Sequence, residues 1–177
     1  LPMGKPTIEG GKASYEAIQK AVELALKDEV TAITTAPINK QSLHMAGHTF
    51  PGHTELLGHL TDSKNPSLMM EGNSLRVVLV TTHLPLDQVK SQITEEKVLQ
   101  SIRQTNAWLQ KHVTEIPSIA LVGLNPHCGD GGIFGQEETE FILPAIKVAQ
   151  QEGIQAIGPY PADALFQRTA SEKYDAV

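Results

Sequence analysis

His53 in Pro51-Gly52-His53-Thr54-Glu55, His83 in Thr81-Thr82-His83-Leu84-Pro85 and His127 in Asn125-Pro126-His127-Cys128-Gly129 each stand where the chain leaves an apolar run or enters a tight turn. Imidazole is the usual ligand of transition metals and the side chain that titrates nearest to neutral pH, so histidines so placed can hold a divalent metal or move a proton. Cys128 is the only cysteine. No internal disulfide and no cysteine-based zinc cluster can then form within one chain, and any metal must be held by histidine and carboxylate.

The elements that must position these residues alternate between helical and strand patterns. Ser14 is read as the cap of a helix over residues 15–27, where Ile18, Val22 and Ala25 or Leu26 recur at helical spacing. Residues 30–35 are short and β-branched, a predicted strand that Pro37 stops before a helix near 40–46. Residues 75–82 form the strongest strand pattern, nearly continuous in apolar residues as a strand buried on both faces should be, and His83 lies just past its end. A long amphipathic helix is predicted over 95–112, with Val98, Ile102, Ala107 or Trp108, and Leu109 on its inner side. The strand 118–123 leads into Asn125-Pro126-His127 and a glycine-rich loop. Glu137, Glu138 and Glu140 then read as an acidic helix start that complements the helix dipole. A last strand is expected at 154–157. This rhythm predicts an α/β domain whose sheet is largely parallel and flanked by helices.

In open α/β sheets ligands bind beyond the carboxyl ends of the strands. Thr34-Thr35-Ala36-Pro37, Thr82-His83 and Asn125-Pro126-His127 all fall at such ends, so one crevice could gather them. The interval between His83 and His127 holds one helix and one return strand, as neighbouring βα units would need to bring both to one edge. From spacing alone two readings stay open: each histidine is a loop residue bonding nearby backbone, or the pair is half of a metal site.

Other features point less directly to chemistry. Residues 129–135 are glycine-rich but do not fit G-x-G-x-x-G, since Phe134 stands where the third glycine belongs, and a tight turn explains them. Gly10-Gly11-Lys12-Ala13-Ser14 lacks the spacing of a phosphate-binding loop and reads as a loop entering a helix. Cys128 reads as a small buried thiol, His44, His48, His59 and His112 as surface or packing residues, and Met69-Met70 as core filling.

Composition narrows the function class. The chain has 177 residues, 40% of them hydrophobic and 19% charged, enough for one sizeable domain or two small lobes. Net charge is −6, and the 14 Lys and Arg are scattered rather than striped, which argues against nucleic acid as a partner. No apolar run approaches the length of a membrane span, and Leu1-Pro2-Met3-Gly4-Lys5 does not read as a secretory leader, so a cytoplasmic location is expected. The first and last residues read as those of a fragment.

Residues 35–40, 50–55, 80–86, 123–132 and 158–163, taken in order, resemble the 4-hydroxythreonine-4-phosphate dehydrogenase family of pyridoxal phosphate biosynthesis. The quoted segments are Thr-Ala-Pro-Ile-Asn-Lys, Phe-Pro-Gly-His-Thr-Glu, Val-Thr-Thr-His-Leu-Pro-Leu, Gly-Leu-Asn-Pro-His-Cys-Gly-Asp-Gly-Gly and Gly-Pro-Tyr-Pro-Ala-Asp. The resemblance implies a two-lobed isopropylmalate-dehydrogenase-like fold and a homodimer with its active site at the interface. It implies oxidation of 4-phosphooxy-L-threonine with NAD or NADP and a divalent metal (zinc, cobalt, magnesium or manganese), followed by decarboxylation to 3-amino-2-oxopropyl phosphate. By the same resemblance His83 and His127 are metal ligands, His53 and Thr54 contact the substrate, and Asp163 is the catalytic carboxylate. No residue is assigned to the nucleotide.

The resemblance also implies what residues 1–177 do not contain. The family's third metal-binding histidine and its phosphate-holding basic residues match positions beyond Val177, so 1–177 is expected to be the central α/β portion of a larger two-lobed dehydrogenase, with parts of the nucleotide-binding lobe outside it at both ends. Such a piece alone should be inactive or nearly so. D-threonate or D-erythronate 4-phosphate dehydrogenases of the same family share these segments and are an alternative. A non-catalytic anion-binding module is another.

Overall fold

A computed structural model describes residues 4–72, 75–169 and 174–177. The chain divides into two compact units, Leu1–Pro66 and Ser67–Val177.

The first unit is helical. α1 (Ile8–Leu26) begins at Thr7, whose side chain accepts from the Gly10 amide; α2 (Lys40–Met45) is capped by Asn39, and α3 (His53–Leu60) starts from Gly52. Ile18, Val22, Leu43 and Leu56 form its core. The expected helix start at Ser14 is corrected: α1 begins at Ile8 and takes Gly10 and Gly11 into its first turns, with Ser14 Oγ bonding back to the Gly10 carbonyl. Position 11 takes glycine because α2 passes directly over it; a Cβ there would lie 2.0 Å from the Ser42 carbonyl oxygen. The strand expected over residues 30–35 is also corrected, since that segment is irregular. A strand needs a neighbour to bond to, and among the described residues none pairs with it.

The second unit is α/β. Its elements are β1 (Leu68–Gly72), β2 (Leu75–Leu79), α4 (Leu86–Gln92), α5 (Glu95–His112), β3 (Ser118–Val122), α6 (Leu143–Gln151), β4 (Gln155–Tyr160) and α7 (Ala162–Arg168). β1 pairs antiparallel with β2, and β3 pairs parallel with β4. The last residues join the two pairs. Ala176 bonds to the Ser118 carbonyl and accepts from Ala120, while Val177 bonds to the Arg76 carbonyl and accepts from Val78. Both are parallel patterns, so Ala176-Val177 lies between β2 and β3 and the spatial order is β1, β2, 176–177, β3, β4. β2 and β3 are therefore two strand spacings apart, about 10 Å, rather than adjacent as the sequence interval implied.

Helical periodicity reads α5 correctly in extent but not wholly in face. Val98, Leu99, Ile102, Thr105 and Leu109 are buried, whereas Ala107 is exposed and Trp108 is 39% exposed. These buried positions follow the 98, 102, 105, 109 row that a 3.6-residue period places on one stripe. α5 and α6 pack with Ile119 and Ala156 of the sheet into one core. Met69 and Met70 are not core filling: they lie on β1, the second partly and the first mostly covered, with Met70 59% exposed. β2 stops at Leu79, where its pairing with Leu68 ends, shorter than the apolar run suggested.

Candidate active site

β2, Ala176-Val177, β3 and β4 run parallel, so their carboxyl ends open on one edge of the sheet. His83 lies in the loop after β2, His127 in the loop after β3 and Asp163 in the first turn of α7 after β4. All are exposed. The strand-end placement expected of His83 and His127 is observed; that of Thr34–Pro37 is not, because residues 30–35 form no strand.

Backbone conformation singles out the same histidines. His83 has φ +55° and His127 φ +52°, in the left-handed region where a non-glycine residue costs about 1–2 kcal/mol. After β3 the conformation persists: every residue from His127 to Gly131 has φ between +44° and +78°. A run of this kind occurs as a single left-handed turn only where its surroundings impose it.

A buried carboxylate pair holds that turn. Glu138 accepts from the Asn125 amide at 2.7 Å and from Asn125 Nδ2 at 2.9 Å, while Asn125 Nδ2 also donates to Glu137 at 2.7 Å. The other oxygen of Glu137 pairs with Lys90 of α4. Lys90 holds the Glu137 carboxyl down to about 2, assisted by Asn125. The ion pair likewise raises the Lys90 ammonium above its ordinary value. Glu137 is covered by its partners rather than deeply sunk: its side chain is 4% exposed and that of Lys90 74%. The acidic helix start expected at Glu137, Glu138 and Glu140 is observed, and two of its carboxylates also bond Asn125. Both are buried, and a π-helical turn, Glu138–Ile142, leads from them into α6. Asn125 and these glutamates are the residues that sequence reasoning missed; the signal available was an acidic pair just after a glycine-rich turn.

Glycines complete the loop. A Cβ on Gly129 would lie 3.0 Å from Glu138 Oε2, and one on Gly135 would lie 2.4 Å from Glu137 Oε2. Cys128 is half-buried; burial, then the charges of Glu138 and Asp163, push its thiol up despite the hydrogen bond with the Gly123 backbone. The Asp163 carboxylate is therefore close enough to act electrostatically on the His127 turn.

In the first unit, His53 and Thr54 form the first turn of α3 and are half-buried. His53 Nε2 is buried and, among the described residues, has no hydrogen-bond partner, the condition of a polar atom that a ligand would satisfy. His48 stacks on Tyr15 with centroids 3.5 Å apart, His59 packs on Phe50 and His112 on Trp108, which agrees with their expected packing roles.

As a metal site the edge offers suitable donor chemistry in His83 and His127, but among the described residues no group of three His, Cys, Asp or Glu is gathered that could hold an ion. No helix among them is long and apolar enough to cross a membrane.

Comparison with known proteins decides the family. The profile described as "Pyridoxal phosphate biosynthetic protein PdxA" matches residues 1–177. The chain belongs to the PdxA family. A PdxA relative from Geobacter metallireducens, named 4-hydroxythreonine-4-phosphate dehydrogenase, is 48% identical over the whole chain, which covers 52% of that protein. D-threonate 4-phosphate dehydrogenase of Salmonella typhimurium is 39% identical, again over the whole chain and 54% of its own length. The crystal structure of 4-hydroxythreonine-4-phosphate dehydrogenase from Klebsiella pneumoniae superposes with a TM-score of 0.92 at 36% identity, covering 100% of this chain and 54% of that one. The chain thus spans about half the length of the PdxA relatives it matches.

Proposed function

We propose that residues 1–177 are the central portion of a two-lobed, isopropylmalate-dehydrogenase-like enzyme that oxidises 4-phosphooxy-L-threonine with NAD or NADP. The β-keto acid formed then loses carbon dioxide to give 3-amino-2-oxopropyl phosphate, in pyridoxal phosphate biosynthesis. One observation carries the reading: His83 and His127, both in left-handed conformations, lie in the loops that follow the strands on either side of Ala176-Val177. Because that middle strand is parallel, a chain continuing past Val177 emerges between them, where the family's third metal-binding histidine is expected.

In this reading His83 and His127 hold a divalent metal: zinc, cobalt, magnesium or manganese. When bound, such an ion polarises the substrate hydroxyl and favours its alkoxide. His53 Nε2 and the Thr54 hydroxyl bind the substrate, and Asp163 brings a carboxylate to the edge where the hydroxyl proton is released. NAD or NADP, when bound, would supply the hydride acceptor for the alcohol carbon. The enzyme is expected to be a cytoplasmic homodimer with the site at its interface.

The D-threonate 4-phosphate reading is favoured by relatives that carry this name at 43% and 39% identity. It requires the same metal, phosphate and hydride apparatus without recognition of an amino group. NADH formation by the full-length protein with zinc, on 4-phosphooxy-L-threonine and D-threonate 4-phosphate in parallel and with His83→Ala as control, tests both. Turnover of the amino acid alone supports the vitamin pathway, and turnover of the sugar acid alone supports the alternative. Silence on both substrates supports a non-catalytic anion-binding module. Robust turnover by residues 1–177 alone would contradict their assignment as an incomplete piece.

A further inference from the structure

We propose that Asn125, Glu138 and Glu137 are positioning residues that lock the left-handed turn and so aim His127 at the sheet edge; the inference rests on the metal-site reading of His127. The turn cannot hold itself. His127, Cys128 and Asp130 are non-glycine residues with φ of +52°, +56° and +44°, each disfavoured, and the side chains of His127 and Asp130 are exposed. What opposes relaxation lies beneath. Both Glu138 oxygens bond Asn125, one to its backbone amide and one to its side chain, at the residue where the chain leaves β3. Glu137 takes the second Asn125 Nδ2 hydrogen and is fixed from outside by Lys90, which belongs to the helix that follows the His83 loop.

The geometry leaves the loop no alternative course. A Cβ on Gly135 would collide with Glu137 Oε2 at 2.4 Å, and one on Gly129 would collide with the Gly135 carbonyl oxygen at 2.7 Å and press on Glu138 Oε2 at 3.0 Å. Glu138 thus occupies the inside of the turn and acts as the template around which residues 125–135 wind. Through Lys90 and Glu137 the same cluster joins the two connections that carry His83 and His127. A turn fixed in this way orients the backbone of His127 before an ion arrives, and loss of outer-shell partners of a metal ligand typically weakens metal affinity about 10–100-fold.

The test uses the full-length protein and two readouts. Peptide-resolved alkylation of Cys128 without metal, with each rate corrected for that variant's own thiolate fraction from a pH–rate profile, reports whether the turn is closed, and cobalt(II) titration followed by ligand-field absorption reports the ligand set. Asn125→Ala and Glu138→Ala should each speed Cys128 alkylation and weaken cobalt binding about 10-fold or more, with the double variant scarcely worse than either. Glu138→Gln keeps one acceptor oxygen for the Asn125 amide and should fall between them and the unaltered protein. It remains informative if the alanine variants fail to fold. Thr94→Ala, which removes the α5 cap, should change neither readout. Unchanged alkylation in Asn125→Ala and Glu138→Gln would overturn the lock. Faster alkylation with unchanged cobalt affinity would overturn the positioning role, provided His127→Ala abolishes binding. Normal cobalt binding by His127→Ala would instead overturn the underlying site reading, and the positioning claim with it.

Discussion

Asn125 and Glu138 are joined twice, amide to one carboxylate oxygen at 2.7 Å and side chain to the other at 2.9 Å. The bond pair spans the whole glycine-rich turn, so the element after the loop fixes the element before it. Buried groups satisfied in this way specify one conformation, whereas loss of one partner leaves a desolvated charge.

The left-handed histidines should cost stability that glycine would return. His83→Gly and His83→Ala both lack the imidazole, so the difference between them isolates the backbone. The glycine variant is expected to be more stable by about 1 kcal/mol, and the same order should hold at His127. Urea unfolding of the paired variants measures it. Equal stability would show that the loops relax out of the left-handed region once the imidazole is removed.

Glu137 makes the turn sensitive to acid. Its carboxyl is lowered from 4.5 to about 2, so its folded form binds a proton less readily than the unfolded chain. The stabilisation is present above about pH 4.5 and is lost as pH falls toward 2. Glu137→Gln should therefore be less stable than the unaltered protein at pH 6, with the gap closing between pH 4.5 and 2. A gap independent of pH would assign the effect to packing rather than charge.

Gly11→Ala tests the contact that brings α1 against α2. With 2.0 Å between the added carbon and the Ser42 carbonyl oxygen, the helices must separate. The loss should be about 1–3 kcal/mol, opposite in sign to the gain alanine normally brings to a helix interior. Gly4→Ala makes a poor control because of its positive φ; Gly10, where the nearest atom is the Thr7 hydroxyl oxygen at 3.1 Å rather than backbone, is the better one.

Leu109→Ala should be among the most damaging substitutions in the second unit. Its side chain is fully buried in the core formed with α6 and the sheet. Truncation there typically costs about 2–5 kcal/mol. Denaturant unfolding should show a lower midpoint, and Trp108, one residue away and 39% exposed outside that core, should tolerate alanine better.

Much of this architecture was legible in the residues. The extent of α5, the strand beginnings at Leu75 and Ser118, and the strand-end positions of His83 and His127 all follow from apolar periodicity and turn chemistry. What was not legible depends on distant neighbours. The missing strand at 30–35 needed knowledge of whether a partner exists. The early start of α1 turned on what crosses Gly11, and the burial of Glu137 and Glu138 on an asparagine on the far side of the turn. The separation of β2 from β3 was invisible because the intervening strand comes from residues 176–177.

That intervening strand has a consequence for how the second unit assembles. Arg76 donates to the carbonyl of Asp175 at its start, and the two residues are 99 apart in the chain, so β2 has no partner on that side until this whole interval has been synthesised. Closing so large an interval is entropically slow, and until it happens β2 and β3 present open edges. Nascent chains stalled before Asp175 are therefore the forms in which chaperone capture or edge-to-edge aggregation should concentrate.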